Sequence, residues 1–94
     1  MTTKAETLLR TRIIKRLRQE RPGFWFVVHG SSMQISGLPD ILGCYKGRFV
    51  GLEVKMPGEE PDPIQSHRLA SIIRAGGFAG VVESPDEALA IVPA

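Results

Sequence analysis

Apolar residues recur at a helical spacing in the first part of the chain. The positions that define this pattern are separated by four residues each and are Leu9, Ile13 and Leu17. Thr3 and Glu6 have the spacing of a capping box, in which each side chain bonds the other residue's main-chain amide. The Arg-Pro-Gly stretch at 21–23 stops the pattern. The sequence therefore predicts a helix over residues 3–20.

Aromatic and β-branched residues form short apolar runs along the rest of the chain. Four of these runs have the composition of strands: FWFVVH at 24–29, DILGCY at 40–45, RFVGLEVK at 48–55 and FAGVVE at 78–83. Lys46 and Gly47 join the second and third runs, which predicts a hairpin. Residues 30–39 are predicted to form a loop.

Helix signals separate the third and fourth strands. Asp62 has the position of a helix cap, Pro63 suits the first helical position, and the helix is expected to run to about Ala75 before two glycines. Residues 84–87 have the form of another capping box and open a short C-terminal helix or turn. The predicted order is α-β-β-β-α-β. This is an α/β fold with a mixed sheet flanked by helices, in which the fourth strand returns through the second helix by a right-handed crossover.

Size and composition fit one domain spanning residues 1–94. No apolar run approaches the roughly 20 residues that span a bilayer, so no membrane partner is expected. The N-terminal residues lack the apolar stretch of a secretion signal. A single cysteine excludes an internal disulfide and a thiolate zinc site. These features predict a cytoplasmic location.

Charge is distributed unevenly along the chain. Residues 1–21 carry seven Lys and Arg against two Glu, whereas the remaining residues carry five against eight Asp and Glu. A basic N-terminal segment beside an acidic remainder suggests a polyanion such as nucleic acid as the partner. A solvated helix face would give the same pattern, so charge alone leaves both interpretations open.

Two acids and a lysine occupy the predicted hairpin. If Lys46 and Gly47 form a two-residue turn, opposed residues have numbers that sum to 93, which pairs Asp40 with Glu53 on one face of the sheet. Lys55, two residues beyond Glu53, shares that face. A four-residue loop gives the same pairing, whereas a three-residue loop with a bulge at Gly47 would shift it.

Facing carboxylates repel each other. Two unit charges about 4 Å apart at an effective dielectric near 20 cost roughly 4 kcal/mol. Lys55 would offset part of this cost, and a divalent cation such as Mg²⁺ or Mn²⁺ would offset more. The alternative is that Asp40 belongs to a turn while Glu53 and Lys55 lie on a solvated face.

Each predicted helix also aims one polar residue toward its apolar side. On a helical wheel Glu6 lies between Ile13 and Leu17, and Gln65 belongs to a stripe with Leu69 and Ile72. Either residue could instead serve its helix end, Glu6 in the capping box and Gln65 by satisfying a local backbone amide. Inward positions favour a shared polar site, because an unpaired buried polar group costs free energy.

These residues together resemble the signature of the PD-(D/E)XK nucleases, and more closely that of the VRR-NUC family. The matching features are Glu6 in the first helix, GLPD ending at Asp40, LEVK ending at Lys55, Gln65 in the next helix, Gly76 at its end, and VVES before an acidic helix start. The resemblance covers nearly the whole chain. It implies a core like that of restriction endonucleases, in a small standalone protein of phage or bacterial type.

The resemblance also implies a site and a reaction. Its metal ligands would be Asp40, Glu53, the backbone carbonyl of Val54, and Glu6 for a second ion or a metal-bound water. Lys55 would position the attacking water, and Gln65 would orient Lys55 or the phosphate. Mg²⁺, with Mn²⁺ as a substitute, would support hydrolysis of DNA to 5′-phosphate and 3′-hydroxyl ends. Candidate contacts to the DNA backbone are Arg10, Arg12, Arg16, Lys46 and Arg68.

Larger relatives of this kind carry extra DNA-binding domains and act on branched structures, so the resemblance implies branched DNA, such as four-way (Holliday) junctions or flaps, as the substrate. A single small domain buries little of the roughly 1,000–2,500 Å² that specific DNA interfaces take, so a homodimer with two active sites is expected. Two alternatives share the fold. One is a non-catalytic subunit that binds DNA or supports assembly, and the other is a sequence-specific endonuclease of restriction or homing type.

Overall fold

Three helices and four strands follow one another in a computed structural model that describes residues 3–29 and 35–94. In chain order they are α1 Lys4–Glu20, β1 Phe24–Val27, β2 Ile41–Tyr45, β3 Arg48–Val54, α2 Pro63–Arg74, β4 Phe78–Val82 and α3 Pro85–Ile91. The predicted order is confirmed, and the short C-terminal element is a helix. Residues 30–34 of the predicted loop lie outside the described residues.

The strands form one mixed sheet in the order β1-β2-β3-β4. β1 and β3 both run antiparallel to β2, whereas β4 lies parallel to β3. A parallel neighbour cannot be reached by a tight turn, so the chain passes through α2 between β3 and β4. The α/β class and the mixed sheet flanked by helices are as predicted.

The hairpin between β2 and β3 has the expected two-residue turn. Its residue pairs run from Ile41 opposite Leu52 to Tyr45 opposite Arg48. Lys46 and Gly47 both have positive φ, at 51° and 79°, as a primed hairpin turn requires. Lysine is unusual there because its Cβ is crowded in the left-handed region. The bulged alternative is excluded, and the register that aligns Asp40 with Glu53 holds.

One face of the sheet packs against α1 and α3. The fully buried side chains of this layer include Ile13, Leu17, Ile41, Leu52, Val50, Val82 and Val92. Trp25 also lies here, and its indole donates a hydrogen bond to the carbonyl of Arg21, 2.9 Å away. The four-residue step predicted in α1 is therefore the stripe that the helix buries.

α2 lies on the opposite face of the sheet. A Cβ on Gly51 would stand 2.6 Å from the Ile72 side chain, so glycine at this position lets the helix approach β3 closely. Side chains alternate along a strand, which places Glu53 on the same face as Gly51. The β3 residue of the predicted site therefore faces the start of α2 rather than the core beneath α1.

α2 packs on β3 and β4 and leaves part of this face without a helix. Phe24 lies opposite Cys44, which lies opposite Phe49, and Phe26 follows two residues after Phe24. Phe24, Phe26, Cys44 and Phe49 are exposed, and the rings of Phe24 and Phe26 are 5.6 Å apart. These four residues are called the phenylalanine face below.

Candidate active site

A pocket opens where α1, α2 and the site end of the β2–β3 hairpin meet. It has a volume of about 180 Å³ and is lined by Glu6, Arg10, Asp40, Glu53, Val54, Lys55 and Gln65. All five residues predicted to be catalytic lie in this lining, although they come from four separate parts of the chain. The lining is almost entirely polar, which suits an ionic ligand rather than an apolar one.

Asp40 is held by backbone on two sides. It follows the fully buried Pro39, and its main-chain carbonyl accepts a hydrogen bond from the amide of Val28 at 2.8 Å. Its Oδ2 accepts a second one from the amide of Val54, also at 2.8 Å. Oδ1 lies 3.4 Å from a guanidinium nitrogen of Arg10. One carboxylate oxygen is thus fixed to β3, and the other is directed toward a cation.

Glu53 is the buried acid of the site, with 3% of its surface exposed. Its Oε2 accepts a hydrogen bond from the side-chain nitrogen, Nε2, of Gln65 at 3.0 Å and lies 3.6 Å from Nζ of Lys55. Its Oε1 is buried and has no hydrogen-bond partner among the described residues. An unpaired buried oxygen of this kind calls for an explanation, and a proton or a metal ion supplies one.

The protonation of Glu53 follows from these surroundings. Burial, and then the negative charge of Asp40, raise the pKa of Glu53 to about 8, while Lys55 opposes the shift. At neutral pH and without a cation, Glu53 therefore holds a proton. A divalent cation supplies the same positive charge more effectively, so its binding would displace that proton.

Lys55 is placed by the continuation of β3. Its main-chain amide donates a hydrogen bond to the carbonyl of Val82 at 3.0 Å, which extends the parallel pairing by one residue. Its side chain is largely buried on the Glu53 side of the sheet. The ammonium therefore stands beside the buried acid at the edge of the pocket.

Gln65 performs both of the roles that sequence left open. Its side-chain oxygen accepts a hydrogen bond from the amide of Asp62 at 2.9 Å, and its own amide donates to Oδ1 of Asp62 at 3.0 Å. This capping box starts α2 and leaves the side-chain nitrogen free to donate to Glu53. The contact that Gln65 makes is thus with Glu53.

Glu6 also combines capping with a place in the pocket. Its Oε1 accepts a hydrogen bond from the amide of Thr3 at 3.1 Å, and its amide donates to the Thr3 hydroxyl at the same distance. Hydrogen bonding to the Thr3 backbone lowers the pKa of Glu6, and the charges of Lys55 and Arg10 act in the same direction. Glu6 is therefore an ionised group on the pocket wall.

The five candidate DNA contacts are dispersed. Arg10 alone of the five lines the pocket, whereas Arg12 is exposed on α1. Arg16 forms an ion pair with Glu20 and lies 3.2 Å from Asp86. The ammonium of Lys46 lies 5.4 Å from the ring centre of Tyr45, at the far end of the hairpin. Arg68 donates a hydrogen bond to the carbonyl of Ser36 at 3.0 Å. The contact between Arg10 and Asp40 was not predicted. Its signal was the four-residue step from Glu6, which puts Arg10 on the same side of α1.

The residues of the pocket fit a small hard cation. Within the described ranges no three or more His, Cys, Asp or Glu side chains lie close enough to form a complete cluster of ligands. Mg²⁺ does not require one, because it binds through one or two carboxylates and retains several waters. Asp40 and Glu53 each have an oxygen that no backbone amide occupies, and Val54 also lines the pocket.

Comparison with known proteins establishes the fold. A scan against models of protein families finds no match, and a search of the curated proteins finds none either. Five solved chains match, and one of them is a VRR_NUC domain, with a TM-score of 0.74, 23% sequence identity and 96% of each chain covered. None of the helices in the described part of the chain is long and apolar enough to cross a membrane. The protein therefore has the fold of a VRR_NUC domain, as its sequence predicted.

Proposed function

We propose that this protein is a metal-dependent nuclease of the VRR-NUC family, formed as one domain by residues 1–94, which hydrolyses phosphodiester bonds in DNA. The observation that carries the proposal is the buried Oε1 of Glu53, which lacks a hydrogen-bond partner among the described residues and lies beside a second acid. Lys55 and Gln65 both contact the other oxygen of Glu53. A purely structural pair of acids has no need of a pocket open to an ionic ligand.

The cation would be held by Asp40, Glu53 and the carbonyl of Val54. Glu6 lies on the pocket wall, where it would bind a second ion or a water of the first. Bound Mg²⁺ or Mn²⁺ lowers the pKa of a coordinated water and neutralises phosphate charge. Gln65 keeps Glu53 turned toward the pocket. Lys55 orients the attacking water and neutralises the charge that develops on the phosphoryl oxygens. The proposed products carry a 5′-phosphate and a 3′-hydroxyl.

Branched DNA, and four-way junctions or flaps in particular, is the proposed substrate. We expect junction or flap DNA to be cut faster than linear duplex in Mg²⁺ or Mn²⁺, and nothing to be cut in chelator. The measurement is a cleavage panel of labelled duplex, flap, splayed-arm and four-way-junction DNA, with ligation of the nicked product as the check on end chemistry. The cytoplasmic location expected from the sequence stays a prediction.

The panel also separates the alternatives. Binding without cutting of any substrate would favour a non-catalytic DNA-binding or assembly subunit. Cutting confined to one duplex sequence would favour an endonuclease of restriction or homing type. Both outcomes would contradict the proposed substrate.

A homodimer through the phenylalanine face is part of the same proposal. Phe24 is 67% exposed and lies in a row with Cys44 and Phe49 across three strands. An apolar patch of this kind on a small protein is typical of an interaction surface. Because the described residues of one copy form one candidate active site, a second copy would give the two cuts that a junction with two-fold symmetry requires.

Phe24→Glu tests this interface. We expect the wild type to be a dimer at micromolar concentration, and Phe24→Glu to weaken dimerisation by about thirtyfold or more, as loss of a central aromatic contact does. The measurement is sedimentation equilibrium. Leu8→Glu is the matched control, because Leu8 is 57% exposed on α1 and lies off the phenylalanine face. A wild type that is monomeric at these concentrations and still cuts junctions symmetrically would contradict the dimer.

A further inference from the structure

Arg10 reaches across the pocket to a residue thirty positions away in the chain. Its Nη1 lies 3.4 Å from Oδ1 of Asp40, and the exposed fractions of the two side chains are 14% and 24%. Its Nη2 stands 3.4 Å from the hydroxyl of Thr7. The guanidinium is therefore enclosed in the pocket that holds both acids, rather than spread over the surface of α1.

Each of the two basic groups of the pocket lies beside one of the two acids Asp40 and Glu53. Lys55 faces Glu53 at 3.6 Å, and Arg10 faces Asp40 at 3.4 Å. The guanidinium thus occupies the side of Asp40 where a cation would be coordinated. A divalent cation bound to Oδ1 would stand a few ångströms from this permanent positive charge and would be strongly repelled by it.

Arg10 does not position Asp40. The Asp40 carboxylate already accepts a hydrogen bond from the main-chain amide of Val54 at 2.8 Å. The main-chain carbonyl of Asp40 accepts another from the amide of Val28, also at 2.8 Å. The contact with Arg10 at 3.4 Å is longer than the roughly 2.7–2.9 Å of a strong charge-assisted hydrogen bond. It is a loose contact, which a competing cation can displace.

We propose that Arg10 is the counter-ion of Asp40 in the cation-free site. When a divalent cation binds, the Arg10 side chain leaves Asp40 and its guanidinium contacts a phosphate of the DNA instead. This inference rests on the proposed nuclease function. The planar fork of arginine suits bidentate contact with phosphate oxygens. The displaced side chain needs no long movement, because the phosphate that meets the cation enters the same pocket.

The proposal is tested by whether replacing Arg10 raises or lowers the affinity of the protein for Mn²⁺. If Arg10 competes with the cation, Arg10→Met binds Mn²⁺ roughly fivefold more tightly than the wild type, the effect of a partly exposed ion pair. If Arg10 supports Asp40, the variant binds Mn²⁺ more weakly. The measurement is calorimetric titration of Mn²⁺ without DNA. Lys15→Met is the matched control, because Lys15 is exposed on the same helix outside the pocket and is not among the candidate DNA contacts.

Affinity for DNA should change in the opposite direction. With Ca²⁺ present, Arg10→Met is expected to bind junction DNA about fivefold to tenfold more weakly, since one phosphate contact is lost, while Lys15→Met changes less. Arg10→Gln repeats both measurements if Arg10→Met does not fold. Unchanged or weaker Mn²⁺ binding by the Arg10 variants would overturn this inference alone. Absence of Mn²⁺ binding by the wild type would overturn the proposed function with it.

Discussion

Lys55→Met is expected to reduce DNA cleavage by about a thousandfold while leaving the protein folded. Lys55 supplies the one ammonium group in the pocket lining, 3.6 Å from Glu53, and methionine keeps its apolar stem. Removing a group that orients the nucleophile and stabilises developing charge typically costs 10²- to 10⁴-fold in rate. The measurement is single-turnover cleavage of junction DNA in saturating Mg²⁺. DNA binding should weaken by no more than about tenfold, far less than the rate of cleavage, because one phosphate contact at most is lost.

Lys15→Met is the matched control for this variant. It makes the same change of charge and shape at an exposed position of α1 outside the pocket, and Lys15 is not among the candidate DNA contacts. Asp40→Asn is the companion, since it removes a cation ligand and should reduce cleavage by a similar factor. If Lys55→Met and Asp40→Asn both cut at the wild-type rate, the site assigned to this pocket is wrong.

Glu53→Gln is expected to make the protein more stable in chelator at alkaline pH. The folded-state pKa of Glu53, about 8, lies above the ordinary value of 4.5, so the folded state holds this proton more firmly than the unfolded chain. The contribution of Glu53 to stability is therefore complete below about pH 4.5 and is lost as pH rises through about 8. Each unit of pKa shift corresponds to roughly 1.4 kcal/mol, so at pH 9 the variant should gain on the order of 3–5 kcal/mol.

Urea unfolding at pH 5, 7 and 9 in chelator measures this difference. Glutamine resembles protonated Glu53 in shape and charge, so the two proteins should agree near pH 5 and diverge as the pH rises. A difference in unfolding free energy that stays constant over this range would contradict the raised pKa. Added Mn²⁺ should stabilise the wild type at pH 8 and should stabilise Glu53→Gln far less, because the variant lacks the carboxylate that binds it.

The expected results for Lys55→Met and Glu53→Gln describe a site that is needed for cleavage but lowers the stability of the folded protein. Glu53→Gln should be both more stable and inactive, which is the behaviour of a residue retained for chemistry rather than for folding. The structural alternative, a solvated face carrying two acids, predicts no such gain because solvated carboxylates have ordinary pKa values.

The fold was predictable from sequence because its local signals agree with each other. The stripe in α1, the apolar run of β3 and the cap at Asp62 each indicate an element that the structure confirms. The alignment of Asp40 with Glu53 depended on the length of a single turn. Lys46 adopts φ of 51° to complete that turn, a conformation that lysine does not itself favour.

Side-chain partners were less predictable, because they depend on how helices lie on the sheet. The four-residue step from Glu6 puts Arg10 on the pocket side of α1 but does not identify Asp40 as its partner, and no spacing indicates that Arg16 meets Asp86 in α3. Glu6 and Gln65 show a different limit. Capping and facing the pocket were treated as alternatives, but a side chain with two polar atoms at its tip can do both.

The cap of α2 has a consequence for how this protein can change over evolution. Gln65 is tied to Asp62, so its direction toward Glu53 is set by a step of three residues and not by the preceding loop. Insertions or deletions in residues 56–61 would therefore be absorbed without moving the glutamine. A change of even one residue between Asp62 and Gln65 would rotate it away from the pocket. The loop is free to diverge, while this short spacing is under constraint.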